Sequence, residues 1–295
     1  MNKILVIVTL ALALAGCSRQ APESEADSAA AAEPTSGERL DAVLAAQPDA
    51  EKSRYAFRHP RETLQFFGVE PGMTVVDTLP GKVWYSGILI DYLGPGGRVI
   101  GASYSPEMWT YFGKYSPDPT EIASWRSDFV AKMEARRSAD HAAVDAVHFG
   151  AVPDELAGTV DVVIVSRALH HFTRLEDEHG YLTQALADIN RLLKPGGIVG
   201  IEAHRAPEGS PDAWATGEAG YVKQSAVIAA FEKAGFEFVA ASDINANPKD
   251  QPTEKDMVWR LPPTLATSEN DAGLRAAMQA IGESDRMTLK FRKPG

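Results

Sequence analysis

Apolar runs of strand length alternate with helical stretches from about residue 39 to the end of the chain. That alternation points to a parallel sheet with helices on both faces, because each buried strand needs a crossover to reach its neighbour. "MTVVDT" after Pro71-Gly72 reads as a buried first strand, "WYSGILIDYL" as the helix after it, and "GPGGRVIGAS" as a turn and second strand. "DAVHFG" and "VDVVIVS" give the third and fourth. "YLTQALADINRLLKPGG" places Leu182, Leu186, Ile189 and Leu193 on one helical face and stops at Pro195-Gly196-Gly197. "IVGIEAH", "EFVAASDI" and "RMTLKFRK" complete seven strands, with "KQSAVIAAFEKAGF" a helix among them. "ERLDAVLAAQ" and "RETLQFFG" lead as helices, and Thr120 is expected to cap a helix carrying Ile122, Trp125, Phe129 and Met133. No repeat or internal boundary interrupts 39–295, so one domain is expected there.

The residues before that domain have another character. Lys3 precedes an apolar run from Ile4 to Leu14, followed by "LAGC" at Leu14 to Cys17. The run is too short for a bilayer core, which takes about 20 helical residues, so 1–17 reads as a signal peptide. Small residues before a cysteine resemble the lipobox of bacterial lipoproteins, which implies cleavage before Cys17 and lipid on its sulfur. Ser18 follows, not the aspartate that implies inner-membrane retention, so a periplasm-facing outer-membrane anchor is expected. Cys17 is the only cysteine, so the domain forms no internal disulfide and no cysteine-ligated zinc site. Ser18 to Glu38 lacks large apolar residues and is expected to be a flexible tether spanning on the order of 25 Å. A net charge of −11 and the lack of a basic cluster exclude a nucleic-acid partner.

In open sheets of this class, ligands bind beyond the carboxyl ends of the strands. Arg167, His170 and His171 follow the fourth strand there, and Glu202, His204 and Arg205 end the fifth. A histidine in that cluster is a candidate general base, and Arg167 or Arg205 a candidate bidentate clamp for a carboxylate or phosphate. The bland reading is that the paired histidines cap a strand and that His204 and Arg205 join a structural network. His170, His171, Glu202 and His204 are also metal-ligating types, but adjacent histidines on an extended backbone diverge, so no metal is expected. The long connection 243–284 holds Asn245, Asn247, Lys249 and Trp259 and is read as a lid. A helix is expected near 270–281, and Asp285 and Arg286 are expected to pair with each other.

Taken in order, "VVDTLPGKVWYSGIL", "GGRVIG", "VDVVIVSRALHHF", "INRLLKPGGIVGIE" and "AGFEFV" resemble class I S-adenosylmethionine-dependent methyltransferases. With "HRA", "NANPKD", "LPPTL" and "GESDRMTLKF" they resemble a subgroup of predicted exported proteins of that kind. The resemblance implies a Rossmann-like α/β fold with a mostly parallel seven-stranded sheet and S-adenosylmethionine as cofactor. It implies Asp77, Pro80 and Gly81 in the cofactor turn, Tyr85 beside it, and Ser103 at the position of the ribose-binding acid. Arg167, His170, His171 and His204 then stand on the substrate side. The chain departs from the family pattern at Leu79 and Val83, which replace flanking glycines, at Ser103, and at Gly150, where an acid near the adenine is usual. Two readings follow. One is a methyltransferase acting on a small molecule; the other is an exported non-catalytic or repurposed small-molecule-binding protein using the same crevice. Oligomeric state is not legible.

Overall fold

The computed structural model describes residues 34–136 and 140–295. The expected signal peptide, Cys17 and most of the tether lie outside the described residues. Helix α1 (Ser36–Ala46) begins at Ser36, inside the segment read as tether. A capping box sets that start: Thr35 Oγ1 accepts from Glu38 N–H, and the Glu38 carboxylate accepts from Thr35 N–H. Two short helices, α2 (Asp49–Lys52) and α3 (Tyr55–Arg58), lead into α4 (Pro60–Phe67), whose first residue is a proline and whose end is Gly68 in the left-handed conformation.

Strand β1 (Thr74–Thr78), α5 (Trp84–Leu93) and β2 (Arg98–Ser103) follow at the expected places. Helix α5 is buried on nearly every side, which explains its uniformly apolar composition. After the single turn α6 (Pro106–Trp109), α7 (Pro119–Glu134) is capped by Asp118 and not by Thr120. Pro119 lacks the N–H and sits naturally at the first helical position, so the cap precedes it; Asp118 accepts from Thr120 N–H. Phe129 and Met133 are the buried members of its apolar set. Strands β3 (Ala143–His148) and β4 (Val160–Ser166) come next. The "ALHHF" stretch is not a strand end: Leu169–Thr173 is the short helix α8. Helix α9 (Glu176–His179) precedes α10 (Tyr181–Leu192), which ends three residues before Pro195, so Leu193 is already extended. Then come β5 (Leu193–Ala206), the two-residue β6 (Val222–Lys223), α11 (Gln224–Lys233), β7 (Glu237–Ser242), α12 (Ala272–Ile281) and β8 (Arg286–Arg292).

The main path of the sheet runs β3-β2-β1-β4-β5-β8-β7. Strands β1 to β5 are mutually parallel, and β8 lies antiparallel between β5 and β7. The expected seven strands form this path; β6 adds an eighth beside the end of β5. Strand order reverses between β1 and β4, which places the ligand crevice there. Register decides what meets in it. Ser166 pairs with Glu202, and His204 with Arg286, because β8 runs back and presents its first residue at the crevice edge. No helix among the described residues is long and apolar enough to cross a membrane.

Candidate active site at the strand ends

The turn after β1 has the backbone of a glycine loop with two side chains added. Leu79, Gly81 and Val83 take φ of 53°, 52° and 61°. Positive φ is strained for a β-branched residue, yet Val83 adopts it and serves as the residue before α5. The added side chains are drawn into opposite cores: Leu79 packs against one apolar cluster and Val83 belongs to the other. Gly81 stays exposed, and a Cβ there would meet only the Leu79 carbonyl oxygen, at 3.8 Å. Pro80 is half-buried.

Asp77 closes this loop. Its Oδ2 accepts from Ser86 N–H at 2.9 Å and from Ser86 Oγ at 2.6 Å. The carboxylate thus supplies, from across the turn, the N-terminal cap that Val83 cannot offer α5. Burial pushes its pKa up to about 6, against the lowering effect of the two Ser86 bonds. Tyr85 turns inward: it is 3% exposed, packs edge-on to Trp84, and brings its hydroxyl 3.3 Å from Glu202 Oε2. Ser103 ends β2 almost wholly buried. Gly150 has φ 83°, gives its N–H to Asp188, and lies under the Gln184 amide. Beyond β2 and β3, Tyr104 gathers Trp109, Phe112, His171 and Phe172 into one aromatic cluster.

These residues fit S-adenosylmethionine unevenly. The turn offers the backbone path, an open Gly81, and an unpartnered buried Thr78 Oγ1 to an amino-acid end. Toward a nucleoside it offers aromatic faces, while Ser103 and Gly150 hold the two acid positions and the carboxylate beside Gly150 is that of Asp188.

The histidines converge as expected, from α8 and β5. Ring centroids of His170 and His171 are 3.8 Å apart, and those of His170 and His204 are 5.4 Å apart. The helical turn, not divergence from a strand, sets the first pair. Burial and neighbouring positive charge hold all three rings neutral: His171 falls to about 3, and His170 and His204 are pushed well below the ordinary value. His204 Nδ1 is 2.6 Å from Ser284 Oγ. His170 is 3% exposed, and neither of its ring nitrogens has a partner. Trp259 packs beside both His170 and His171, so the 243–284 segment does reach over the cluster.

Most of that segment does something else. Asn245 donates to Thr63 and Thr288, Asn247 donates to the carbonyls of Ile281 and Glu283, and Lys249 is exposed. Two cavities lie beside the segment. One of about 370 Å³ is lined by Arg205, Glu208, Gln224, Asp250, Gln251 and Asp285. Another of about 180 Å³ lies among Phe57, His59, Asn245, Glu283, Ser284 and Arg286. Among the described residues no group of three or more His, Cys, Asp or Glu is arranged to hold a metal ion.

A buried charge network underlies the cluster, and sequence reasoning missed most of it. Arg286 Nε stands 2.9 Å from Glu202 Oε1, an ion pair off hydrogen-bond alignment, and its Nη1 is 2.7 Å from Glu283 Oε2. Arg58 donates from Nε to both Glu283 oxygens and lies 5.2 Å from the Trp84 ring centre. Ser166 Oγ donates to Glu202 at 2.6 Å. The expected Asp285–Arg286 pair is replaced: Asp285 holds Arg205 in a two-bond fork of 2.8 and 3.0 Å. Arg205 is therefore satisfied, whereas Arg167, with φ 53°, has a buried Nε without a partner. Arginines set in apolar surroundings, as in "AFRHP" before α4, are the only sequence hint of this network.

Comparison with known proteins gives the architecture its relatives. The family model described as a methyltransferase domain matches residues 81–201. A chain in the complex of the Haloferax volcanii Trm112 methyltransferase activator with its methyltransferase is 20% identical at TM-score 0.50, over 87% of this chain and 98% of that one. The (4+2)-cyclase SpnF is 17% identical at TM-score 0.51, over 88% and 97%. A search of the curated proteins returned no match. The domain has the Rossmann-like methyltransferase fold, and its stretch from the turn after β1 to the middle of β5 matches the methyltransferase domain family.

Proposed function

We propose that the chain is an S-adenosylmethionine-dependent methyltransferase acting on a small molecule. The observation that carries this reading is the family match over residues 81–201, which begins in the turn that lies at the strand-order reversal. It favours a transferase over a non-catalytic binding protein. The fold does not fix the reaction, since a neighbour of similar score is named as a cyclase.

Bound S-adenosylmethionine would supply an electrophilic methyl group. Asp77, Pro80 and Gly81 would set the turn that holds its amino-acid end, and Ser103 would lie near its ribose. Loss of a charged hydrogen bond costs about 1.5–3 kcal/mol, so the missing acids at 103 and 150 weaken affinity. On the acceptor side His170 is buried, neutral and free at both nitrogens, so it can accept a hydrogen bond from the acceptor's O–H or N–H, but burial holds its pKa well below the ordinary value and makes it a weaker general base than expected. His171 and Trp259 pack beside it and exclude water, and His204 contributes a second neutral imidazole. The test is calorimetric titration of the full chain with S-adenosylmethionine and S-adenosylhomocysteine. Binding of both with one equivalent supports the reading; no heat and no thermal shift at millimolar ligand removes it.

We also propose export and lipid anchoring through Cys17, supported by the apolar run Ile4–Leu14, "LAGC", and Ser18. Cys17→Ser should then release the protein from membranes or block its processing. Unchanged membrane fractionation refutes the anchor.

A further inference from the structure

Three arginines and two glutamates lie together behind the histidine cluster, and Arg167 is the arginine that makes no ion pair among the described residues. Glu202 and Glu283, both essentially buried, are shared between Arg286 and Arg58. Arg167 makes no ion pair with either, and Asp77, the remaining nearby acid, gives its hydrogen-bonding oxygen to Ser86. The backbone explains why Arg167 does not withdraw to solvent. Its N–H is bonded to the Glu202 carbonyl, and its left-handed φ turns the chain sharply between β4 and α8 at the crevice. Arg58 contributes further unused donors: it is fully buried, and Nη1 and Nη2 have no partner although Nε holds Glu283.

Buried guanidinium groups without partners are rare because their desolvation is unfavourable. They persist where a ligand completes them, and a planar fork of donors matches the two oxygens of a carboxylate or phosphate. His170, with both ring nitrogens unpaired, lies three residues on from Arg167 at the same crevice edge.

We propose that Arg167, together with the unpaired Nη1 and Nη2 of Arg58, binds a carboxylate or phosphate group of the acceptor molecule, which is therefore a small organic anion. This substrate class rests on the transferase reading; the anion site itself rests only on the arginines. The acceptor enters with its oxyanion against Arg167, which leaves its reacting atom toward His170 and the turn at Gly81.

The experiment titrates the full chain with sodium phosphate and with sodium malonate at constant ionic strength. Wild type is expected to bind at least one anion with one equivalent. Arg167→Gln should weaken it at least about tenfold, the loss expected for a charged hydrogen bond, while Arg275→Gln, on the exposed face of α12, should not. A folding artefact is separated by melting: Arg167→Gln relieves an unpaired buried charge, so its melting temperature should equal or exceed that of wild type. A clear drop would mark a structural role and overturn the proposal, as would wild-type anion affinity in the variant or no binding of either anion. Saturating S-adenosylhomocysteine decides the source. Unchanged anion affinity supports an acceptor subsite, whereas mutual exclusion assigns the oxyanion to the cofactor's own carboxylate and overturns the substrate assignment. Anion binding at Arg167 without any S-adenosylhomocysteine binding leaves the anion site standing and removes the transferase reading.

Discussion

Asp77 and Ser86 are joined by two hydrogen bonds to one carboxylate oxygen, 2.9 Å from the backbone N–H and 2.6 Å from Oγ. The acid at the end of β1 thus holds the first turn of α5 across a loop of alternating left-handed residues. Its position is set by the ladder below it, where Asp77 pairs with Gly101 on one side and Ile164 on the other. The turn after β1 is consequently tied to the centre of the sheet.

Asp77→Ala removes both acceptor contacts and leaves Ser86 Oγ and N–H buried without partners. The expected loss is about 1–3 kcal/mol, read as a lower midpoint in urea unfolding with unchanged slope. Asp77→Asn keeps one acceptor oxygen and discards a buried charge, so it should fall well short of the alanine loss. An asparagine variant as unstable as the alanine one would show that the charge, not the acceptor, matters.

Acid should unfold the domain through its histidines. His170, His171 and His204 are neutral when folded, with pKa values pushed below the ordinary one, so below about pH 6.5 the unfolded chain binds protons that the folded one refuses. Their contribution is therefore present above that pH and lost as pH falls. Asp77 acts oppositely between its ordinary value and about 6, where the folded state holds the extra proton. With three histidines set against one aspartate, stability should fall as pH drops below about 6. Chemical unfolding at several pH values measures it, and His170→Phe should make the fall with pH shallower.

The buried pair Glu202–Arg286 gives a sharper test. Glu202→Gln removes one of the two carboxylates that balance the buried Arg286 and leaves Glu283 shared between Arg286 and Arg58, and breaking a buried pair costs about 3–5 kcal/mol. The double change Glu202→Met with Arg286→Met removes both charges and should recover most of that loss. Recovery in the double variant but not in the single one identifies stranded charge as the cause. Loss of ligand binding in a stably folded double variant would add a positioning role for Arg167, whose backbone N–H is held by the Glu202 carbonyl.

Legibility followed range. Strands β1 to β4 and helix α5 were readable because buried parallel strands are continuous apolar runs and turns mark their ends. The meeting of Arg167, His170, His171 and His204 was readable too, since the carboxyl ends of adjacent parallel strands must share an edge. Local competition caused the small errors: Pro119 moved the cap to Asp118, and "ALHHF" formed a helical turn where an extended exit was expected. Pairing across long separations was invisible. Arg58 and Glu283 are 225 residues apart in sequence, and Asp285 chose Arg205 over its neighbour Arg286. Nothing in residues 243–284 distinguishes Trp259, which covers the histidines, from Asn245 and Asn247, which tie the segment to the sheet.

Trp259 packs against both histidines of α8. Its ring lies 5.7 Å from that of His170 at 66° and stacks on His171 at 6.3 Å, while Arg260 next to it is anchored by Asp250 at 2.7 Å. The anchor fixes the backbone, so replacing the indole should open the site without releasing the segment. Trp259→Ala should raise the rate at which diethyl pyrocarbonate modifies His170 and His171 by roughly tenfold or more, because that rate follows the population of accessible states. Mass spectrometry assigns the sites, and His179 on α9, whose ring packs against Tyr111 and Tyr181, serves as internal reference. Arg260→Gln should instead loosen the whole segment and raise modification at His204 as well. Equal protection of His170 in wild type and Trp259→Ala would show that the histidines are sealed by α8 and β5 alone, and that ligands must enter from the Gly81 side.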